Sequence, residues 1–587
     1  MTASNATSSS SLIISLRILF YLLPIHQRRI VGLMLGLQII SAGSEILSLA
    51  AVLPFLSSLT NAQQLLIQPT VEPWLKFFSI DTEQQLVVFM AFFFSGAITL
   101  SNVLRLITIR VQYYLSAKIG NTISAEVYRR ILYQPYSFHS QHSSSEIISL
   151  STSDAANVSG NLIPSVFYLI TNSFIVIAII GTLLVLDPWI ALGAIIVVGG
   201  CYRLIIVKTR ETLRINGQKI SQLNAESVKA IQEGLGGIRD VLLDGTQDIF
   251  ESAYRQANRA MLQAQGANNF IAMSPRFLVE PIIMCAIAAL SVIIAYDGDQ
   301  LQRVLPLLGA LALGANRLLP ALQQSYVSLS NIRSNQASLV KVNQALCRPV
   351  CSQQLVPAGQ KLELLSELRF EDVWFSYSLN QSDWVLSGVN FSIKANTMVA
   401  FTGPTGCGKS TTADLILGLL HPQRGRITVD GTLLTIQQMR SWQSNIAHVP
   451  QQIYLSDATI AENIAFGVPR EEIDMARVQK AAHLALISDF IEKRPLAYQE
   501  MVGERGMRLS GGQRQRIGIA RALYKKASVI VFDEATSALD NSTEKEVMAA
   551  IEGLTDKLTI ILIAHRLSTI ENADTVYEFQ AGQIRKI

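Results

Sequence analysis

An α-helical membrane domain of six transmembrane helices, fused to an α/β P-loop nucleotide-binding domain, is the architecture this sequence predicts. Three observations carry it. Charge is uneven along the chain: residues 1–350 hold 24 Lys and Arg and 18 Asp and Glu, 12% of that stretch, whereas residues 351–587 hold 24 and 26, or 21%. The first stretch contains six apolar runs of membrane-crossing length. The second contains a complete phosphate-binding loop between a strand and a helix. A soluble chain carries about 25% charged residues, so 16% charged with 49% hydrophobic argues against a wholly soluble protein.

Taken in order, residues 1–11 are a Ser/Thr-rich tract, read as a disordered tail. Residues 12–23 are apolar but too short to span, and are expected along the membrane surface, ended by Pro24. Crossing ~30 Å of hydrocarbon takes ~20 apolar residues, which the runs at 30–56, 86–109, 162–186, 189–207, 274–296 and 301–326 supply. The polar, helix-periodic segments 110–161 and 208–273 are too charged for a bilayer and are expected to extend the spanning helices into the cytoplasm. The membrane domain is thus placed at 12–340, a linker at 341–365 and the nucleotide-binding domain at 366–587.

Lys and Arg accumulate in cytoplasmic loops. Arg28 and Arg29 precede the first run, Arg110, Lys118, Arg129 and Arg130 follow the second, and Lys208, Arg210 and Arg214 follow the fourth. The opposite loops carry mostly acids, among them Glu72, Asp81, Glu83, Asp187, Asp297 and Asp299. This pattern predicts a multi-pass protein of the cytoplasmic (inner) membrane, with both termini and the nucleotide-binding domain in the cytoplasm. The basic residues flank apolar runs and form no stripe with interleaved aromatics, so nucleic acid is not an expected partner. Five scattered cysteines suit free thiols better than a secreted disulfide framework.

Five side chains inside the runs are charged: Glu45, Arg105, Arg276, Glu280 and Arg317. Each charge near a bilayer centre costs on the order of 2.5–3.5 kcal/mol on insertion scales, so it is expected to face a partner or a watery cavity. Arg276 and Glu280 stand one helical turn apart and suit an ion pair. Two readings of the arginines stay open: pairing with Glu45 and Glu280, or a cavity in which Arg105, Arg276 and Arg317 bind an anionic substrate group.

Residues 398–402 read as a buried strand, followed by Gly403-Pro404-Thr405-Gly406-Cys407-Gly408-Lys409-Ser410 and a helical run from Thr411. This is the P-loop pattern in its required strand-loop-helix setting. Gly403, Gly406 and Gly408 let backbone N–H groups curl around the phosphates of ATP. Lys409 reaches the β/γ-phosphates, and the Ser410 hydroxyl is a Mg²⁺ ligand. An apolar strand at 529–532 then delivers Asp533, suited to Mg²⁺, and Glu534, suited to polarise the attacking water. Leu509 and the run Ser510-Gly511-Gly512-Gln513 open a further helix, whose N-terminus favours anions.

At these residues the chain resembles the ATP-binding cassette family, over most of 368–587. The resemblance implies further roles: Tyr377 as the adenine-stacking aromatic, Gln451 as the glutamine sensing Mg²⁺ and the interface, Ser537 to Asp540 as a dimer-contact loop, and His565 as the γ-phosphate switch. Singly, Tyr377 reads as an ordinary strand aromatic, Gln451 as a surface residue and His565 as a satisfied core histidine. Their joint order and spacing carry the assignment. It implies ATP and Mg²⁺ as cofactors, and a homodimer in which Ser510 and Gly512 close the site at Lys409 of the partner subunit.

Six spans ahead of one cassette resemble the half-transporter exporters, whose coupling helices sit in the two long cytoplasmic segments. Closer patches are Ser274-Pro275-Arg276-Phe277-Leu278-Val279-Glu280, Ala315-Asn316-Arg317-Leu318-Leu319-Pro320, Glu45, and Gln452-Ile453-Tyr454-Leu455. These resemble the bacterial flippases of lipid-linked oligosaccharides in N-glycosylation, a likeness that also implies a short external helix over 62–80. The expected function is ATP-driven export or flipping of an amphipathic anionic substrate, a lipid-linked oligosaccharide or related glycolipid, across the bilayer. A lipid or multidrug exporter of the same architecture is the alternative. An ATP-gated channel or regulator would tolerate loss of Glu534 or His565, and both are present.

Overall fold

The structure, a computed structural model, describes residues 8–60, 62, 80, 82–186, 188–296, 301–350, 359–377, 383–533, 546, 549, 558–563 and 573–587. The chain divides into two compact units, Met1–Leu132 with His142–Pro349, and Tyr133–Gln141 with Val350–Ile587.

The first unit is helical. Its principal helices are α1 (Ser8–Leu22), α2 (Ile25–Ala50), α3 (Glu83–Leu132), α4 (Ile163–Leu186), α5 (Pro188–Gly236), α6 (Gln247–Tyr296), α7 (Leu301–Ser334) and α8 (Gln336–Cys347). Helix is the form that pairs every backbone N–H and C=O within the segment, as hydrocarbon surroundings require. Five of the six apolar runs lie on continuous helix, and the run at 30–56 is helical on either side of Ala51. Among the described residues, the stretches Ile25–Ser48, Glu83–Leu132 and Ser144–Thr182 are long and apolar enough to cross a membrane. Helix α3 has 50 residues, about 75 Å at 1.5 Å per residue and more than twice a hydrocarbon core of ~30 Å. Helices α5 and α6, with 49 and 50 residues, likewise continue far beyond their apolar parts.

Two expectations change. The run at 30–56 is not one helix: α2 ends at Ala50, and a separate helix, Val52–Thr60, follows the turn at Ala51. Pro54 is the cause, because its ring opposes the carbonyl four residues back and it lacks an N–H to continue the ladder. Helix α1 starts at Ser8, inside the tract read as tail. The external helix expected over 62–80 lies outside the described residues apart from Ala62 and Ile80.

Between Ser144 and α4 the helix passes through two wider π-helical turns, Leu150–Asp154 and Val158–Leu162. They pack closely on α3, where a Cβ on Gly120 would lie 2.3 Å from the Ser159 Cβ.

The second unit holds two sheets. Strands β1 (Glu367–Phe375), β2 (Leu386–Lys394), β4 (Arg424–Val429) and β5 (Thr432–Leu433) form an antiparallel sheet in the order β2-β1-β4-β5. Strands β3 (Met398–Thr402), β6 (Ile446–Val449), β7 (Val529–Asp533), β8 (Thr559–Ile563), β9 (Thr575–Gln580) and β10 (Gln583–Lys586) form a mixed sheet in the order β10-β9-β3-β8-β7-β6. The inner strands β3, β7 and β8 are almost wholly buried, which explains their nearly continuous apolar sequences. Helix α9 (Lys409–Ile416) follows β3, and α10 (Gly511–Tyr524) precedes β7.

Candidate functional site

Strands β6, β7, β8 and β3 are adjacent and parallel, with Val449 beside Phe532, Phe532 beside Leu562, and Leu562 beside Ala400. Their carboxyl ends therefore share one edge of the sheet, the edge at which α/β folds bind ligands. Gln451 follows β6, Asp533 ends β7, and Gly403 to Gly408 follow β3 at this edge. Glu534, His565 and Ser537 to Asp540, also assigned from sequence, lie outside the described residues.

The P-loop is shaped by glycines that no other residue replaces. Gly403 has φ +138°, and a Cβ there would stand 2.4 Å from the Phe579 carbonyl oxygen. Gly408 has φ +107°, and its Cβ would stand 2.7 Å from Leu386. The backbone course that suits phosphate is thus one that side chains at these two positions would obstruct. Lys409 is buried, and its ammonium donates to the carbonyls of Gly403 at 2.8 Å and Pro404 at 3.0 Å. Ser410, next on α9, is exposed.

Tyr377 is half exposed, edge-on to Phe375, and its hydroxyl lies 3.2 Å from the Thr411 hydroxyl on α9. The structure thus joins the expected adenine aromatic to the P-loop helix. Two residues beside this cluster were missed from sequence. Asp414, on α9, has its carboxyl pushed up to about 6 by burial and by the neighbouring Asp533. Tyr136, from the short helix Tyr136–Gln141 that packs with this unit, has its phenol raised by burial and by Asp414 and Tyr377. Nothing local in the sequence marks either one.

Ser510 caps α10 through a reciprocal pair: its hydroxyl accepts the Gln513 N–H at 3.2 Å, and the Gln513 side chain accepts the Ser510 N–H at 2.9 Å. Gly511 and Gly512 form the first turn. Helix α10 packs on β6 and on the helices Ile460–Ile464 and Met475–Leu484. Arg521 of α10 donates to the carbonyls of Asn463 at 2.9 Å and Tyr454 at 3.1 Å. A Cβ on Gly518 would stand 2.4 Å from Ile453, so the residues just after Gln451 are seated directly on this helix.

In the first unit, Glu45 is 2% exposed and bridges two arginines. Its Oε1 lies 3.4 Å from Arg105 and its Oε2 3.1 Å from Arg317. The guanidinium-bearing side chains keep 44% and 30% exposure, so one buried carboxylate is shared by two accessible cations. Arg276 is not brought to them: it pairs at 3.1 Å with Glu280 on its own helix.

Residues 386–537 match the family model described as ABC transporter, and residues 48–298 the one described as ABC transporter transmembrane region. The ATP-dependent lipid A-core flippase of Saccharophagus degradans is 32% identical over 486 residues, covering 80% of this chain and 79% of its own. That of Ralstonia nicotianae is 30% identical over 490 residues, covering 80% of each. The solved structure of a bacterial Atm1-family ABC exporter with ATP bound superposes with a TM-score of 0.77 at 24% identity, covering 95% of this chain and 94% of that one.

Proposed function

The chain belongs to the ABC transporter family, and from that premise we propose that it is an ATP-driven flippase for an amphipathic glycolipid with a phosphate-bearing headgroup, a polyprenyl-diphosphate-linked oligosaccharide before others. It binds ATP and is an ATPase coupled to transport across a membrane. The observation that carries the substrate reading is the Glu45 cluster: two guanidinium groups share one carboxylate and leave a net positive charge among the spans. A diphosphate is the group that such forked donors recognise best. Arg276, already neutralised by Glu280, contributes less. Lipid A-core is the second reading, favoured by the names of the two relatives above and sharing the same chemistry of phosphate, sugar and lipid.

A P-loop and a signature run carried on the same chain support a homodimer. Loop charges support both termini and the cassette in the cytoplasm of an inner membrane. Ser410, Gln451 and Asp533 would hold Mg²⁺, which offsets phosphate charge as the γ-phosphoryl group leaves. Lys409 binds phosphate, Tyr377 stacks adenine, and Glu534 orients the attacking water while His565 holds the γ-phosphate.

Reconstitution into proteoliposomes containing a polyprenyl-diphosphate oligosaccharide or lipid A-core tests the reading. ATP-dependent loss of sidedness for one of them is expected. The Arg105→Ala, Arg317→Ala double variant should flip at least tenfold more slowly, since a hydrogen bond to a charged group is worth about 1.5–3 kcal/mol. Retention of every lipid on its original leaflet, or full flipping by a stable double variant, overturns the anionic-headgroup assignment.

A further inference from the structure

A cavity of about 400 Å³ lies inside the first unit, within the ~300–1,000 Å³ range of small-ligand sites. It is enclosed by the π-turn region, α5, α6, α7 and the start of α8, beyond the apolar parts of those helices. Its lining is dominated by side-chain amides and hydroxyls, with Asp154 as its carboxylate.

Three polar side chains on its wall are more than nine-tenths buried and each keeps an atom without a hydrogen bond: Asp154 Oδ2, Asn268 Nδ2 and Ser330 Oγ. Asp154 Oδ1 accepts from the hydroxyls of Ser221 at 3.0 Å and Ser338 at 2.6 Å, and Asn268 Oδ1 accepts from Asn216 at 2.9 Å. A buried polar atom without a hydrogen bond is costly, so the three atoms define what the cavity holds.

Their chemistry narrows the guest. Asp154, ion-paired with Lys341, offers an anion no net positive charge. A free cation has no charge to neutralise, because the Lys341 ammonium already stands 3.7 Å from Asp154 Oδ2. An apolar group would leave the amides and hydroxyls unpaired. The three atoms ask for a donor, an acceptor, and either one. A hydroxyl group supplies both roles, and a neutral guest bearing several of them satisfies all three sites.

Position connects the cavity to the transported molecule. Ser330 lies thirteen residues beyond Arg317 on the unbroken helix α7, about 20 Å along its axis. A lipid whose phosphates meet Arg105 and Arg317 would project its sugars along this path. We propose that the cavity is a subsite for the neutral sugar portion of the glycolipid, with Asp154, Asn268 and Ser330 as its recognition groups; this rests on the flippase reading above.

The test uses the whole protein in nanodiscs and two probe lipids, a polyprenyl diphosphate bearing an oligosaccharide and the same diphosphate without sugar. Stimulation of ATP hydrolysis is titrated with each lipid for the parent, for Ser330→Ala, for Asn269→Leu, which makes an exposed part of the lining apolar, and for the double variant that combines these two. Loss of one hydrogen bond should raise the half-stimulating concentration of the sugar-bearing lipid several-fold, and the double variant should raise it about tenfold, while the sugar-free lipid acts as on the parent. An equal shift for both lipids would mean that the lining only braces the helices, and no shift for either would mean that it holds water alone; each overturns the subsite. A parent that ignores both lipids defeats the flippase reading, and the subsite with it. A parent that responds to both, with variants that do the same, defeats the subsite alone.

Discussion

Asp414 is the residue whose ionisation the fold changes most clearly beside the nucleotide edge. Burial, and then the charge of Asp533, raise its carboxyl from 3.8 to about 6. The folded chain therefore binds this proton more tightly than the unfolded chain, and the associated stability is complete below about pH 4 and lost as pH rises through about 6. Because the group is only partly shielded from solvent, its contribution is on the order of 1 kcal/mol. Asp414→Asn should flatten the fall in Tm of the whole protein between pH 4 and 7 and raise Tm at the upper end. An unchanged slope would show that the proton is held elsewhere. For Glu534→Gln, the amide keeps the shape but cannot take a proton, so nucleotide binding should persist while steady-state hydrolysis drops by 10²-fold or more. Turnover within a few-fold of the parent would remove Glu534 from its role. At this scale, what the sequence made legible was local. Arg276 and Glu280 announce their pairing by a spacing of four residues, whereas the partners of Glu45 lie 60 and 272 residues away and only the fold joins them.

Helix α10 shows how a glycine fixes the distance between elements. A methyl on Gly518 would meet three atoms of Ile453 at 2.4, 3.0 and 3.4 Å, so the whole isoleucine side chain would have to move. Replacing Gly by Ala within a helix gains about 1 kcal/mol of propensity, but overpacking of this kind costs about 1–3 kcal/mol. Gly518→Ala should therefore lower stability, and in an Ile453→Ala background the same change should raise it. A thermal double-mutant cycle measures that reversal of sign, and identical effects in both backgrounds would refute the contact. Element boundaries were readable where one residue forces the outcome. Pro24 ends α1, and Pro54 breaks the first apolar run at Ala51, a stop that the run's uniform hydropathy masked. The π-turns at Leu150–Asp154 and Val158–Leu162 had no such marker, since no residue type requires a wider turn. They depend on packing against α3, as does the fit of Ser159 to Gly120.

At the scale of the whole molecule, the site within one chain is made of parts with different supports. The P-loop, Asp533 and Gln451 share the carboxyl edge of the mixed sheet, whereas Ser510 to Gln513 open a helix packed against β6 and two short helices. The order of motifs was legible because each is a contiguous run next to its own strand or helix, but no run of sequence states which copy of Lys409 a given Ser510 serves. If the signature of one chain closes the nucleotide site of the other, a dimer has two composite sites, each with Lys409 from one subunit and Ser510 from its partner. Lys409→Ala homodimers then carry two sites without the phosphate-binding ammonium. Ser510→Arg homodimers carry two sites in which the cap hydroxyl is replaced by a bulky cation. A heterodimer of the two variants gathers both lesions into one site and leaves the other with both native residues. If instead each chain serves its own nucleotide, every site in the heterodimer carries one lesion. Co-expression with two affinity tags and tandem purification isolates the heterodimer, and its ATPase rate can be set against those of the two homodimers. Recovery toward half the parent rate, absent from both homodimers, is expected. Hydrolysis as low as in the homodimers, from a heterodimer that still binds one nucleotide with parental affinity, would refute independent composite sites in the homodimer.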